Sequence, residues 1–550
     1  MKKNIIVFLL SLTGLLSCNV EDDLVIPQHG VLSVEDTYTN ADDEEATAFI
    51  ASVYHKLRGN NWDVFSTYYY SLYGTGYYSV RHRMEQMSGD FSDYFSYSES
   101  ASAFTYSMLW SYYYSIIYHC SMIVEHLPAN NVASAETKER VIAEARAIRS
   151  IMMMYLVQLW GNPPLADHIL NGSEGNTPAS ESWDFIETEL AAAAELLPSK
   201  SGLGGQSEIG GRITREAVYA YLGKAYLWQK KYNEAASVLY SKVISTNLYD
   251  LVPDFTALNS YTSDFCDEYL WEIETHFDNN YATSQAGRLE VVYNWSSGIH
   301  YPAEIYSGAG YGLTACASKS FGNFMDSHDI TAGGAKSTRY RGTIASYEDL
   351  LDESIFTYPG EKGVATRVDD GEGYWRMKSI PRTENTYGEA FWHGTFLHNN
   401  LCFMRYAEVL LNYAEAVAMG GSEGTLSGLG ALNLVRERAG LDDALALDMD
   451  NEEYGIKAER RAELYYENSR FIDLVRWGDA ASVLASVGKV KPTFFGYVNG
   501  QNSVPQSKEN WRIEYAQTTG EGFKSGQHEL FPIPASDKNS NPNLVQNPNW

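Results

Sequence analysis

Apolar residues recur along most of this chain at three- and four-residue spacing, which predicts a mainly α-helical protein. From Ser33 to Leu57 the pattern turns helical after a polar tether, and from Tyr106 it runs to Leu127, where Pro128 stops it. The clearest stripe is Val141, Ala145, Ile148, Met152, Tyr155, Leu156 and Leu159; Gly161 and Pro163 then end the helix. Further helices are expected at 183–197 and 404–418, and as a pair over Thr214–Trp228 and Glu234–Ser245 across the link QKKYN. In that pair Leu222, Gly223, Tyr226, Ala235 and Leu239 follow tetratricopeptide spacing, with Tyr219 where the repeat has Trp. Small residues at such positions let two helices approach closely, so a scaffold of a few degenerate repeats is expected. The stretch 60–80 breaks the periodicity with a dense aromatic run around Gly74 and Gly76 and reads as loop and short turns. Between about 250 and 400 Gly, Tyr, Ser and Thr mix without long periodic runs, predicting loops and short strands laid on the scaffold. Helices return at 405–418, at 431–439 and, as one run, at 456–480, before a Pro- and Asn-rich extended tail.

The first residues follow a different logic. Lys2 and Lys3 precede an apolar run from Ile5 to Leu16 that is too short for a permanent bilayer span and reads as a signal segment. Leu15, Leu16 and Ser17 before Cys18 resemble a bacterial lipobox, in which the chain is cut before the cysteine and that cysteine receives lipid. Acyl chains hold such a protein to a membrane at about 0.8 kcal/mol per buried CH₂. Glu21, Asp22 and Asp23 look like the acidic export signal of surface-exposed lipoproteins in two-membrane bacteria. The expected organisation is a leader at 1–17, a lipidated tether at 18–34, a helical part at 35–250, and a second part at 251–550 packed into the same unit.

The 550 residues suffice for a large core, and their formal charge of −29 becomes more negative by two once Lys2 and Lys3 leave with the leader. That balance repels nucleic acid and anionic surfaces. Cys120, Cys266, Cys316 and Cys402 are widely spaced without a C-x-x-C pair, and read as core thiols or at most one or two disulfides; no metal or cofactor is expected. The 41 tyrosines and 12 tryptophans point to aromatic surfaces as well as an aromatic core.

Enzyme motifs fail on their context. Gly420-x-Ser422-x-Gly424 spells G-x-S-x-G, but a nucleophile elbow needs a strand before it and a helix after, and here a helix precedes and a Gly-rich loop follows. His393 and His398 lack an acidic ligand at helical spacing, and Asp448, Asp450 and Glu452 open like a calcium loop whose glycine, Gly455, comes too late. That stretch reads instead as a helix-capping acidic loop. Glu459, Glu463 and Glu467 at i, i+4 and i+8 beside several arginines read as an ion-pair ladder between packed helices rather than an acid/base pair.

Five stretches resemble the SusD/RagB family of outer-membrane nutrient-binding lipoproteins: 145–165, 403–418, 431–441, 459–478 (ERRAELYYENSRFIDLVRWG) and 530–550. They follow the family's order and span nearly the whole mature chain, with one departure, Asn468 where the family usually has Gly. The resemblance implies a SusD-like helical fold with tetratricopeptide units, a partner of the SusC-like TonB-dependent transporter class, and an outer-membrane, lipid-anchored location facing the exterior. It also implies capture of oligosaccharide or polysaccharide, or of peptide in some relatives, without catalysis.

A glycan needs exposed aromatic platforms beside polar groups. Trp110 and Trp160 lie on core stripes and read as packing residues. The candidates are Trp62, Tyr68, Tyr69, Tyr70, Tyr73, Tyr77, Tyr78, Tyr94 and Tyr97 in the first aromatic stretch, and Tyr293, Trp295, Tyr301, Tyr306 and Tyr311 in the middle. In the family, ligand contacts tend to come from these two zones. The competing enzymatic reading is a surface glycoside hydrolase using Asp369, Asp370 or Glu372, which would need two carboxyls about 5–9 Å apart across a cleft.

Overall fold

The computed structural model describes residues 33–58, 87–88, 100–102, 104–203, 211–258, 260–274, 299–300, 316–351, 367–368, 372–378, 386–391, 394–397, 400–467, 469–487, 489–497, 511–517 and 522–550. The leader, tether and Cys18 lie outside them. The N-terminal part is a run of helices: α1 (Val34–Thr39), α2 (Asp43–Arg58), α3 (Phe104–His126), α4 (Ala135–Trp160), α5 (Ala179–Leu196), α6 (Arg215–Trp228) and α7 (Tyr232–Lys242). The break between α1 and α2 is a capping box, in which Asp42 Oδ1 accepts from the Glu45 amide at 2.9 Å and Glu45 Oε2 from the Asp42 amide at 3.0 Å. Ser134 caps α4, and Gly161, at φ +74°, ends it as the sequence predicts.

Helix α4 is the axis of the molecule. Its predicted stripe is real, but every residue from Ala147 to Trp160 is buried, because α3, α5, α2 and the C-terminal segment surround it. Burying a Leu, Ile or Met side chain there contributes about 1.5–3 kcal/mol. The α6–α7 pair packs as closely as its small residues suggest: a Cβ on Gly223 would stand 2.5 Å from Leu239 Cδ2.

The middle of the chain carries strands β1 (Met87–Ser88), β2 (Tyr269–Ile273), β3 (Ile299–His300), β4 (Cys316–Ala317), β5 (Ile344–Ser346), β6 (Arg367–Val368), β7 (Tyr374–Arg376), β8 (Thr386–Phe391), β9 (Gly394–Leu397) and β10 (Leu401–Arg405). Against expectation it also holds α8 (Lys319–His328), α9 (Thr338–Thr343) and α10 (Tyr347–Leu351). β10 pairs antiparallel with β2 and runs straight into α11 (Tyr406–Ala418). α12 (Gly428–Ala439) follows and packs on α11.

The helix predicted over 456–480 is broken into α13 (Ile456–Glu463), α14 (Arg470–Trp477) and α15 (Ala480–Val483). Tyr466 takes φ +66°, a left-handed turn that redirects the chain, and Glu467 leaves the helix to reach Arg405 and Lys378. Asn468 lies outside the described residues. The tail holds a hairpin, β11 (Val490–Tyr497) and β12 (Trp511–Gln517), and the short α16 (Ala535–Ser540), neither of which its composition announced. It is not merely extended: Trp160 Nε1 donates to the Pro532 carbonyl at 2.9 Å, the Phe531 amide to Leu159 O at 2.7 Å, and Asn547 Nδ2 to Trp160 O at 2.9 Å. Cys120, Cys266 and Cys402 are free thiols, so no bridge involves Cys266. No helix among the described residues is long and apolar enough to cross a membrane.

Candidate functional site

The aromatic residues expected to hold ligand all lie outside the described residues: Trp62, Tyr68, Tyr69, Tyr70, Tyr73, Tyr77, Tyr78, Tyr94 and Tyr97 in the first zone, Tyr293, Trp295, Tyr301, Tyr306 and Tyr311 in the second. What the structure describes is the sheet that both zones border. Its order is β1-β4-β7-β5, with Met87 opposite Ala317 and Ser88 opposite Cys316. β1 interrupts the first aromatic zone and β4 directly follows the second, so two segments more than two hundred residues apart enter one sheet side by side.

That sheet is firmly backed. Gly322 of α8 lies against the ring of Tyr374 on β7, so closely that a Cβ would stand 2.2 Å from it. The Tyr374 hydroxyl donates to Asp326 Oδ2 at 2.5 Å, and Tyr340 donates to Asp326 Oδ1 at 2.7 Å. Burial, reinforced by the Asp326 carboxylate, pushes both phenols well above their ordinary range and keeps them neutral donors.

A second feature was not anticipated. Trp110, Tyr114 and Tyr118 fall at i, i+4 and i+8 on α3 and form one wall of a groove of about 480 Å³. Trp110 is a packing residue as read, 5% exposed and 5.3 Å from the ring of Trp160, but the stripe ends in Tyr118, which is 46% exposed. Pro164, His168, Leu170 and Glu174 form the second wall, and Ser536, Asp537 and Leu544 close the third. Glu174 accepts from the Asn171 and Gly172 amides at 2.7 and 2.9 Å, and those bonds outweigh burial to hold its carboxyl below the usual range. His168 Nδ1 sits 2.5 Å from Asp167, which, with Glu174 and Glu125, raises its pKa. The stripe was visible in the sequence; the walls facing it were not, because they arrive from about 50 and 420 residues away.

The motifs with catalytic spelling serve packing. Ser422 Oγ is bonded to Asn233 Oδ1 at 3.2 Å, while Gly421 is pressed on the Tyr232 carbonyl and Gly424 on the Tyr240 ring, after a helix and not a strand. Asp448 Oδ1 accepts from the Asp450 and Asn451 amides, making the turn before α13, whose own N-cap is Gly455 without a side-chain cap. No group of three or more His, Cys, Asp or Glu among the described residues is arranged to hold a metal. Asp369, Asp370, His393 and His398 lie outside those residues, and Glu372 Oε2 accepts from the Lys319 amide at 2.6 Å at the start of α8.

The carboxylates of 459–467 do form an ion-pair system, far more buried than a surface ladder. Arg339 of α9, 0% exposed, binds Asp329 Oδ1 at 2.6 Å, Glu459 Oε2 at 2.7 Å and Glu463 Oε2 at 3.4 Å. Arg436 pairs with Glu459, Arg438 with Glu463 and Glu268, Arg405 with Glu268, Glu463 and Glu467, and Lys378 with Glu467. Five Arg and Lys side chains, with His328 beside Asp329 and Glu459, thus meet five carboxylates, which lets the buried cluster stay ionised. Burial pushes Glu459 and Glu463 up, but Arg339 and His328 at one and Arg438 and Arg405 at the other outweigh it and hold both at about 2. A carboxyl so placed is never a proton donor near neutrality.

Comparison with known proteins agrees with this architecture. A profile described as "SusD family" matches residues 267–550, and one described as "Starch-binding associating with outer membrane" matches residues 34–227. A SusD-like protein of Bacteroides ovatus is 24% identical over 406 residues, 67% of this chain and 65% of its own length, just under two thirds. The starch-binding protein SusD of Bacteroides thetaiotaomicron is 24% identical over 453 residues, 76% of this chain and 74% of that one. Among solved structures, a laminarin-binding SusD-like protein superposes with a TM-score of 0.68 at 21% identity, covering 93% of this chain and 100% of that one. Surface glycan-binding protein A of Bacteroides thetaiotaomicron, in complex with laminarihexaose, gives 0.67 at 21% identity over 92% and 100%. With the helical scaffold, the buried ion-pair system and the anchored C-terminal segment in place, the chain belongs to the SusD family.

Proposed function

We propose that this protein is a non-catalytic surface lipoprotein that captures an oligosaccharide or polysaccharide outside the cell and hands it to a SusC-like TonB-dependent transporter in the outer membrane. Cys18 is the lipid anchor, and the aromatics around Trp62 and Trp295 are the platform. The observation that carries the reading is the pairing of β1 with β4. Tyr94 is six residues from Ser88 and Tyr311 five from Cys316, so chain length alone keeps each within roughly 20 Å of that pair. The near ends of two zones rich in Trp and Tyr are thus tied to one strand pair, which supports the reading, since several rings along one face are what a glycan chain with an apolar C–H side needs. The glycan class is supported by relatives named for binding starch and laminarin, and the outer-membrane location by the description of the matching profile.

Affinity electrophoresis of the purified protein through gels containing starch, laminarin and other neutral polysaccharides tests this, with Trp62→Ala and Trp295→Ala alongside. Retardation by one polymer that either variant loses is the expected result. Migration unaffected by every polymer would overturn the glycan reading and leave peptide as the cargo to examine; cleavage of any polymer by the pure protein would overturn the non-catalytic part.

A further inference from the structure

We propose that the groove walled by α3, the loop 163–174 and the C-terminal segment 536–544 is a second saccharide subsite, built from residues other than the loop aromatics and selective for uncharged sugar units. The inference rests on the glycan reading above and goes beyond it by placing a site among rigid elements and by naming the charge class it accepts.

The argument begins with rigidity. Asn541 Nδ2 donates to the Glu174 carbonyl at 2.7 Å, Asn543 Nδ2 to Ser173 O at 2.7 Å, and the Val545 amide to Asn176 Oδ1 at 2.7 Å. The Tyr114 hydroxyl ties α3 to the second wall by donating to Pro164 O at 2.8 Å, and the Ser107 and Ser536 hydroxyls, 3.4 Å apart, link α3 to the third. The three walls are thus locked together before any ligand arrives, so little ordering cost opposes binding.

The lining then selects the occupant. Tyr118 offers an exposed ring to an apolar sugar face, with Tyr114 and Trp110 one and two turns along the same wall, their centroids 4.8 Å apart. Around the ring stand acceptors suited to hydroxyl donors: the Asp537 carboxylate, which takes only the Ser536 hydroxyl at 2.8 Å among the bonds seen, and Glu174. Asp537 and Glu174 are joined by no Lys or Arg among the described lining residues, while Asp167 and Glu125 stand just behind. His168, its Nε2 3.7 Å from Glu174 Oε1, offsets one of these four carboxylates, so a uronate or sulfated sugar still meets net like charge; a neutral hexose does not. The volume lies within the range of about 300–1,000 Å³ usual for small-ligand sites.

Calorimetric titration with laminarihexaose, maltohexaose and cellohexaose, and with a hexagalacturonate as the anionic control, tests the proposal on five forms: the unaltered protein, Tyr118→Ala, Asp537→Asn, Trp62→Ala/Trp295→Ala, and that double variant with Tyr118→Ala added. The expected result is that the double Trp variant retains binding of a neutral hexasaccharide, that adding Tyr118→Ala to it weakens this remaining site about tenfold or more, and that hexagalacturonate does not occupy it. Asp537→Asn is expected to admit hexagalacturonate more readily while leaving the melting temperature unchanged, since the side chain sits at the groove rim. If the Trp variants remove all binding while Tyr118→Ala and Asp537→Asn change neither stoichiometry nor affinity, the groove is not a saccharide site and the glycan reading stands without it. If no hexasaccharide binds any form, the glycan reading fails and this inference with it.

Discussion

Asp264 and Glu272 show how far a single environment moves a side chain. Asp264 Oδ1 accepts from the Asn400 amide at 2.8 Å, and Glu272 accepts from Asn400 Nδ2 and the Phe265 amide, both at 2.9 Å, with no cation bonded to either among the described residues. Burial pushes Asp264 up to about 8 and Glu272 up to about 7, and their mutual repulsion adds to the rise of Asp264. Because the folded pKa of Asp264 lies above its unfolded value near 4, the folded state holds the proton more tightly. The resulting stabilisation is complete below about pH 4 and is lost as pH rises through about 8. Asp264→Asn keeps an acceptor for the Asn400 amide and removes the titration. Thermal melts are expected to show the variant's advantage over the unaltered protein growing steadily from about pH 4 to pH 8; a difference independent of pH would contradict the assignment. None of this is legible from composition, since Asp264 and Glu272 are ordinary acids in the sequence and become unusual only when β2 and β10 close over them.

At the scale of elements, local signals were read well and long-range ones were not. Ser134, Gly161 and the stripe from Val141 to Leu159 define α4 because caps and periodicity act within a few residues. The run 456–480 has equally good periodicity and is nevertheless broken, because Glu467 is worth more as a partner of Arg405 and Lys378 than as one further turn. The G-x-S-x-G stretch yields to the same reasoning. Its glycines let the loop lie on α7, where a Cβ on Gly421 would stand 2.6 Å from the Tyr232 carbonyl and 2.8 Å from that of Ala416. Backbone atoms cannot step aside as a side chain does, so Gly421→Ala is expected to cost about 1–3 kcal/mol in denaturant unfolding. Ser422→Ala, which loses one exposed hydrogen bond, is expected to cost under about 1 kcal/mol. Equal effects would mean that the loop is not held by close approach.

The whole molecule is held by contacts between distant parts. Arg405 and Glu268 are 137 residues apart, Arg339 and Glu463 124, and Trp160 and Pro532 372. Arg339 is the side chain through which α9, in the loop-rich middle, is tied to α13 in the C-terminal helices. Replacing it with Met leaves Asp329, Glu459 and Glu463 buried with one cation fewer, for an expected loss of about 3–5 kcal/mol, measured as a fall in the urea midpoint. A loss within about 0.5 kcal/mol would show that water or a neighbouring arginine compensates. The sequence by itself determined the helical class, the ends of most helices, the acidic character and the family motifs, because spacing, caps and charge are local properties. The aromatic-rich stretches, too, were legible as candidates by composition. Only the tertiary structure decided that the strands next to the two aromatic zones in sequence, β1 and β4, pair with each other, that the glutamates of 459–467 are neutralised from other elements, and that the stripe ending in Tyr118 faces a groove. Each of those depends on which surfaces meet when the chain packs, and residues a hundred or more positions apart carry no local mark of the partner that burial will give them.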